Sequence, residues 1–302
     1  MKNTTSVSSG GTGLKRAKLG MLYAWPMGVW FTVFFVAPLA IIILYSFLKK
    51  GLYGGVVRQF SVEAYCQLLN PAYGIVLIRT LWISLISTVI TILIALPCGY
   101  AMAKSGKQTL FLLLVIVPFW TNSLIRIFAW MSILGNDGLL NTILMQLNIT
   151  KDFVQFLYNK NAVVVVSVYM YLPYAILPIF TSVDRFDFSL LEAARDLGAT
   201  KPGSMLRVLL PNIKSGIVTA IIFTFIPIFG AYTVPLLVGG KDSYMIGNII
   251  VDQVNKTRNW PLAAAFSMII TVISTLAVLW MIGSVKKDAS LKNGSKGEAK
   301  KI

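Results

Sequence analysis

The chain has 302 residues, of which 56% are hydrophobic and only 13% charged, and its mean hydropathy is +0.75. Soluble domains carry about 25% charged residues, so this composition cannot cover such a chain against water and excludes a soluble globular fold. With no His and two Cys, a zinc or haem site lacks its usual imidazole and thiolate ligands, and the net charge of +16 poses a choice between a nucleic-acid surface and a membrane-topology signal.

The apolar residues gather in six runs long enough to cross a bilayer, which takes about 20 residues of helix. Residues 1–20, rich in Ser, Thr and Gly, read as a cytoplasmic tail. The first span, 21–47, exceeds the h-region of a cleavable signal and lacks a small-residue cleavage site. Cys66 falls in the outer loop that follows, with no obvious partner, so no disulfide framework is implied. The second span, 75–103, holds Cys98 as a small core residue. The third, 110–134, contains Pro118. The fourth, 162–183, contains Pro173 and Pro178, and the fifth, 215–238, contains Pro227, Gly230 and Pro235. The sixth runs over 262–284, and 285–302 is a Lys-rich solvated cytoplasmic tail. Prolines in membrane helices free carbonyls that need a neighbouring helix or water, which suits a cavity, although Pro and Gly are in any case commoner there. No internal repeat emerges, so an inverted-repeat secondary transporter is not supported.

With the N-terminus inside, the inner segments hold about twice as many Lys and Arg as the outer ones, which puts both termini in the cytoplasm. The inner set includes Lys15, Arg16, Lys104, Lys107, Arg195, Lys201 and Arg207, and the outer set Lys49, Lys50, Arg58 and Arg258. This explains the basic charge without nucleic acid. The predicted fold is an all-α, multi-pass membrane protein with six transmembrane helices over 21–284.

The longest inner loop, 184–214, has helical punctuation of its own. Ser189 followed by Glu192 has capping-box spacing. Leu190, Leu191, Ala193, Ala194 and Leu197 give an apolar face with small residues at its middle, and Gly198 stands where a left-handed residue stops a helix. Thr200 is the next candidate N-cap, with Pro202 in the first turn, and Pro211 ends the unit. A helix–turn–helix of this kind suits docking into a groove on a partner. It equally suits a short amphipathic pair on the membrane surface.

Glu192-Ala193-Ala194, Gly198 and Val208-x-Leu210-Pro211 resemble the EAA signature of permease subunits of binding-protein-dependent ABC importers, with Val208 in place of the usual Ile. The resemblance implies a type I ABC importer permease (MetI-like) architecture and makes 189–211 the coupling segment. Glu192, Ala193, Ala194 and Gly198 would dock in a cleft of the ATPase, and Pro211 would close the unit. The stretches 117–127, 190–199 and 246–261 resemble spermidine/putrescine permeases of the PotB type. That subfamily implies a homologous second permease, two ATPase subunits and an extracytoplasmic polyamine-binding protein in a bacterial inner membrane. No cofactor is implied for this chain, and ATP and Mg²⁺ would belong to the ATPase partner. The sequence contains no G-x-x-x-x-G-K-[ST] motif, and Gly239-Gly240-Lys241 is too short to be one.

A polycation crossing hydrocarbon needs acids, carbonyls or aromatic faces in place of water. Asp137, Asp152, Asp242 and Asp252 fall in outer segments and Asp184 and Asp187 at the inner end, so no span offers a carboxylate site. Aromatic faces remain at Trp120, Tyr169, Tyr171, Tyr174 and Tyr232. Each is worth roughly 0.5–2 kcal/mol per cation contact, or else serves as packing or an interfacial belt. The pore and gate candidates are Trp120, Asn122, Arg126, Tyr171 and Tyr232. Arg126 is a charge near membrane depth, better suited to bracing an outer gate than to touching a cation. Rival readings are a permease for iron, sulfate or phosphate, and an ATPase-independent channel or secondary transporter. A membrane enzyme is disfavoured by the lack of His and of a buried acid pair.

Overall fold

The computed structural model describes residues 25–298, with side chains through residue 283. The predicted tail 1–20 and the start of the first predicted span lie outside the described residues. Helix α1 (Trp25–Ser46) is long and apolar enough to cross a membrane, and none of its apolar window is buried within the chain. It rests mainly on the last helix and leaves Trp25, Phe34 and Leu44 facing outward. A hairpin of β1 (Leu48–Lys50) and β2 (Val56–Phe60) and a short helix α2 (Glu63–Leu68) lead to α3 (Pro71–Lys104). Asn70 caps α3 by accepting from the Ala72 amide, with Pro71 in the first turn, where its missing N–H costs nothing.

At 34 residues, α3 is about 51 Å long and outreaches the hydrocarbon layer. One face carries Thr80, Ser84, Ser87, Thr91, Ala95 and Gly99, all buried, at three- and four-residue steps that keep them in line. That face packs on α7 (Lys160–Asp184), the most extensive helix pairing in the chain. A Cβ on Gly99 would lie 2.8 Å from Ile179 Cγ2 and 3.1 Å from the Phe180 amide nitrogen. Lipid supplies no hydrophobic drive to bring helices together, so small residues that admit close backbone approach do that work. Helix α7 contributes Val163, Val166, Ala175, Ile179 and Val183 to the centre, all fully buried.

The third and fifth predicted spans are not single helices. The third is α4 (Gln108–Ile116), continued by a 3₁₀ turn to Trp120, and then α5 (Ser123–Leu134), followed by α6 (Leu139–Gln146). The two halves meet at 91°. Pro118 lies in the 3₁₀ turn, and Asn122 turns extended to cap the next helix through the Leu124 amide at 2.8 Å. A hydropathy window averages over such a break. The fifth span is α10 (Lys214–Phe229), which stops at Gly230 and resumes as the short α11 (Thr233–Leu237). After α12 (Ile246–Asn255), the last helix α13 (Trp260–Glu298) covers the sixth predicted span and runs on past residue 284. Among the described residues, four helices are long and apolar enough to cross a membrane unbroken, and the number reaches six when two bent pairs, 108–120 with 123–146 and 201–212 with 214–229, each count as one span.

Two ends of the bundle are defined by contacts. At one, Gln108 Nε2 donates to both the Ala103 carbonyl and Asp184 Oδ1, each at 2.9 Å. This ties the α3–α4 turn to the end of α7. At the other, Arg79 Nη1 donates to the Lys241 carbonyl at 2.9 Å, and Asn248 Nδ2 donates to the Tyr232 carbonyl at 3.0 Å. Gly247 allows that second closure, since a Cβ there would lie 2.5 Å from the Ala231 carbonyl oxygen. Gly240 is likewise a packing glycine, because a Cβ would strike the Tyr158 carbonyl. The Gly239-Gly240-Lys241 run is a tight turn against α7.

Candidate functional site

At the Asp184 end the chain folds into the predicted elbow. Helix α8 (Ser189–Asp196) is followed by α9 (Lys201–Asn212). The expected capping box at Ser189 does not form. Ser189 is already the first helical residue, and its amide donates to Asp187 Oδ1 at 3.0 Å. Asp187 begins the turn because an Asx side chain reaches the amide two residues on. Hydrogen bonds from Ser189, its hydroxyl first and its amide second, hold the Asp187 carboxyl below the usual carboxylate range.

The end of α8 matches the expectation closely. Gly198 has φ +88°. Its amide donates to the Arg195 carbonyl at 2.8 Å, and the Ala199 amide donates to the Ala194 carbonyl at 3.0 Å. This pair is a Schellman closure, which needs a left-handed residue at that position. Thr200 then caps α9, its hydroxyl accepting from Gly203 N at 3.2 Å. The unit closes beside Pro211: α9 runs to Asn212, and the chain bends by 72° into α10 around Ile213. A π-helical turn over Met205–Leu209 precedes the proline. Such a turn absorbs the ladder bond that Pro211 cannot make.

One side of the elbow is welded to the spans. Leu191, Leu209 and Ile213 are buried in a single cluster with Met102, Ala103, Ile179 and Val183. The other side is open. Glu192, Ala193 and Gly198 are exposed, Ala194 is half-buried, and Leu197 is 90% exposed. The sequence placed Leu197 on the apolar face, yet the closing turn swings it outward past the end of α8. An exposed leucine beside small residues is a ready contact for another surface. The Arg195 Nε is buried with no hydrogen-bond partner.

A groove adjoins the elbow. Two cavities of about 500 Å³ and about 400 Å³ share Thr181, Ser182 and Ser215. Together they run between α7 and α10 from Tyr174 and Phe223 to Asp187 and Leu190. Their walls are hydroxyls and apolar faces, with Arg185 and Asp187 at the mouth. Pro178 lines the groove, and having no N–H it cannot donate to the Tyr174 carbonyl one turn back. Gly216 brings the two helices together, since a Cβ there would lie 2.0 Å from Ser182 Oγ and 2.9 Å from the Pro178 carbonyl oxygen. None of Ser182, Ser215, Gly216 or Thr219 stood out in the sequence, because small and hydroxyl residues at helical spacing look like ordinary packing.

The five predicted pore residues do not form one cluster. Arg126 lies over the Phe119 ring, 4.4 Å from its centroid. Phe119 and Trp130 each meet Tyr169, at 5.6 Å and 5.4 Å between centroids. Arg126 Nε and Nη1 are buried there without a hydrogen-bond partner. Asn122 is occupied as a helix cap, and Trp120 beside it is 78% exposed. Tyr171 pairs with Tyr174, 6.0 Å apart, next to the groove. Tyr232 sits at the break after α10. Among the described residues, no ring contact joins Trp120, Tyr171 and Tyr232.

Residues 78–285 match the family model described as binding-protein-dependent transport system inner membrane component. The chain is 36% identical over 252 residues to the spermidine/putrescine transport system permease protein PotB of Salmonella typhimurium strain SL1344, covering 83% of this chain and 88% of that one. It is 35% identical over the same length to PotB of Escherichia coli strain K12, covering 83% and 92%. To the inner membrane ABC transporter permease protein YdcU of that strain it is 31% identical over 235 residues, covering 73% and 75%. A chain of a crystallised bacterial ABC transporter that imports alginate shares the fold, with a TM-score of 0.74 and 17% identity over 91% of this chain and 97% of that one. The helical membrane architecture, the elbow and these matches converge: the chain belongs to the binding-protein-dependent transport system inner membrane components, the permeases of ABC importers.

Proposed function

We propose that this chain is a pore-forming subunit of an ATP-driven importer in a bacterial inner membrane, and that it moves spermidine or putrescine into the cytoplasm. Its partners in this reading are a homologous second permease, two ATPase subunits and an extracytoplasmic polyamine-binding protein. The observation that carries the reading is the likeness to PotB over 252 residues, which includes the whole elbow and groove region. A permease of the same fold has been crystallised with a periplasmic protein bearing its alginate ligand, which supports a binding-protein partner here.

The elbow gives the coupling. Glu192, Ala193, Ala194, Leu197 and Gly198 meet the ATPase, which binds ATP and Mg²⁺. Closure of the ATPase pair moves α8 and α9, and the Leu191–Leu209–Ile213 cluster passes that displacement to α3 and α7. ATP shifts the permease between states only through its better affinity for one of them. The loaded binding protein must favour a permease state in the same sense. The groove supplies oxygens and aromatic faces to a polycation in place of carboxylates, with ionised Asp187 at the cytoplasmic mouth.

Proteoliposomes holding the complete complex are expected to accumulate labelled spermidine only when ATP is inside and the loaded binding protein outside. Uptake that unlabelled spermidine and putrescine do not compete away would remove the polyamine assignment. A second expected result concerns Leu197. Burying a leucine is worth about 1.5–3 kcal/mol, so Leu197→Ser should weaken ATPase retention at least about tenfold. The chain's own stability should not change, because this side chain is 90% exposed. Equal co-purification of ATPase with both forms after dilution would remove Leu197 from the contact.

A further inference from the structure

At the end of the bundle away from the elbow, the β1–β2 hairpin projects with an unusual combination of features. Its base is fixed. Phe47 and Phe60 stack 5.9 Å apart, the Ser61 amide donates to the Phe47 carbonyl at 2.8 Å, and the Tyr65 hydroxyl donates to Ser46 Oγ at 2.9 Å. Its tip is fixed as well. The Gly55 amide donates to the Arg258 carbonyl at 2.9 Å. Gly54, at φ +95°, lies so close that a Cβ would come 2.5 Å from Arg258 Cβ. The loop between these anchors presents Leu52 and Tyr53, each 92% exposed. A loop held at both ends while it displays two large apolar side chains is already ordered for binding, so little entropy is lost when a partner covers it.

The surroundings say what kind of partner fits. A cavity of about 480 Å³ opens beside the tip, lined by Tyr53, Gly54, Gly55, Asn255, Arg258 and Trp260 among others. Arg258 is exposed on its wall, and Lys49, Lys50 and Arg58 are exposed on the two strands of the hairpin. Lys256 is neutralised by Asp252 at 2.8 Å, and Glu63 accepts from Gln67 Nε2 at 3.2 Å. The exposed Lys49, Lys50, Arg58 and Arg258 outweigh the single carboxylate of Glu63, so the net charge at the hairpin is cationic, with an apolar knob and a shallow groove at its centre.

We infer that this hairpin is the anchor for the extracytoplasmic binding protein, whose contact face is acidic and offers an apolar recess to Leu52 and Tyr53. The inference rests on the proposed importer function, which supplies that partner and places this end outside. The knob gives affinity, since a few buried aromatic and apolar anchors carry most of the energy of an interface. The cations speed encounter and select the partner's orientation.

The test uses the full complex in proteoliposomes and reads ATP hydrolysis against the concentration of the importer's own binding protein. Leu52→Ser with Tyr53→Ser is expected to raise the half-saturating concentration at least about tenfold. ATP hydrolysis without binding protein should be unchanged, as neither side chain packs within the chain. Replacing Lys49, Lys50 and Arg58 by Glu is expected to remove the weakening that salt causes in the unaltered complex. An unchanged half-saturating concentration in both variants overturns the inference. The other occupant of an apolar, basic tip is the lipid headgroup layer. In a Cys66→Ala background, a fluorophore on Tyr53→Cys that brominated lipid quenches in the absence of binding protein also overturns it. Shielding of that fluorophore from an aqueous quencher by added binding protein supports it. Stimulated hydrolysis without polyamine uptake would remove the polyamine assignment and leave the docking site standing.

Discussion

Gly198→Val is expected to reduce ATP-driven uptake about tenfold or more while leaving membrane insertion and the pairing with the second permease intact. Gly198 has φ +88°, and no atom lies within 4 Å of where its Cβ would be. The space is therefore open, and the whole penalty falls on the backbone. An L-residue in the left-handed region costs roughly 1–2 kcal/mol, and a β-branched residue is worse placed still. Relief requires giving up the Schellman closure of α8, which re-aims Leu197 and lets the exposed face of Glu192 and Ala193 rotate away from its partner. A change of 1.4 kcal/mol is tenfold in a binding constant. The series discriminates: Gly198→Asn should keep most of the activity, because Asn tolerates this region. Gly198→Ala should fall between Asn and Val. Hydrolysis and uptake measured on the same proteoliposomes should separate, with basal hydrolysis persisting and uptake lost. If Asn and Val were equally damaging, backbone handedness would not be the cause.

The parts of this fold written in local chemistry could be read from the sequence. Gly198 and Thr200 were identifiable because a helix stop and a helix start each depend on a few neighbouring residues, and both motifs form as expected. Ser189 failed in the same kind of reading because Asp187 offers a competing acceptor two residues earlier. The long spans were legible from hydropathy, and Pro118 and Gly230 marked the third and fifth as punctuated, whereas full breaks at Thr121–Asn122 and Gly230–Tyr232 were not legible. A run of apolar residues carries no mark of its direction, and the 91° bend depends on Asn122 spending its side chain on a cap. The hairpin escaped notice because its strands have three and five residues. Gly51, Gly54 and Gly55 were its signal, but they gain meaning only when Arg258 arrives from far along the chain. The groove was invisible for a related reason: Ser182 and Gly216 become a site only through each other.

That pairing leads to the second large effect. Gly216 lies in the first turn of α10, and Ser182 faces it from α7. An added Cβ would lie 2.0 Å from Ser182 Oγ, 2.5 Å from Ser182 Cβ and 2.9 Å from the Pro178 carbonyl oxygen. Atoms cannot occupy those distances, so Gly216→Ala must move α10 away from α7. Overpacking of this kind costs about 1–3 kcal/mol. Here the displacement also lies where the groove is lined and where Ile213 joins the elbow to the spans. Uptake is expected to fall at least about tenfold, with Gly216→Leu abolishing it. Most of the crowding comes from one side chain, so Ser182→Gly should restore much of the Gly216→Ala loss. Taken alone, Ser182→Gly should cost less than Gly216→Ala. The double-mutant cycle should therefore be strongly non-additive, as expected for residues in contact. The Pro178 carbonyl stays at 2.9 Å and belongs to the backbone of α7, so rescue should remain partial. Additive losses would mean that Gly216 acts on transport by some route other than the close approach of α7 and α10. A full rescue would mean that the helices can shift past Pro178 at no cost to the pathway.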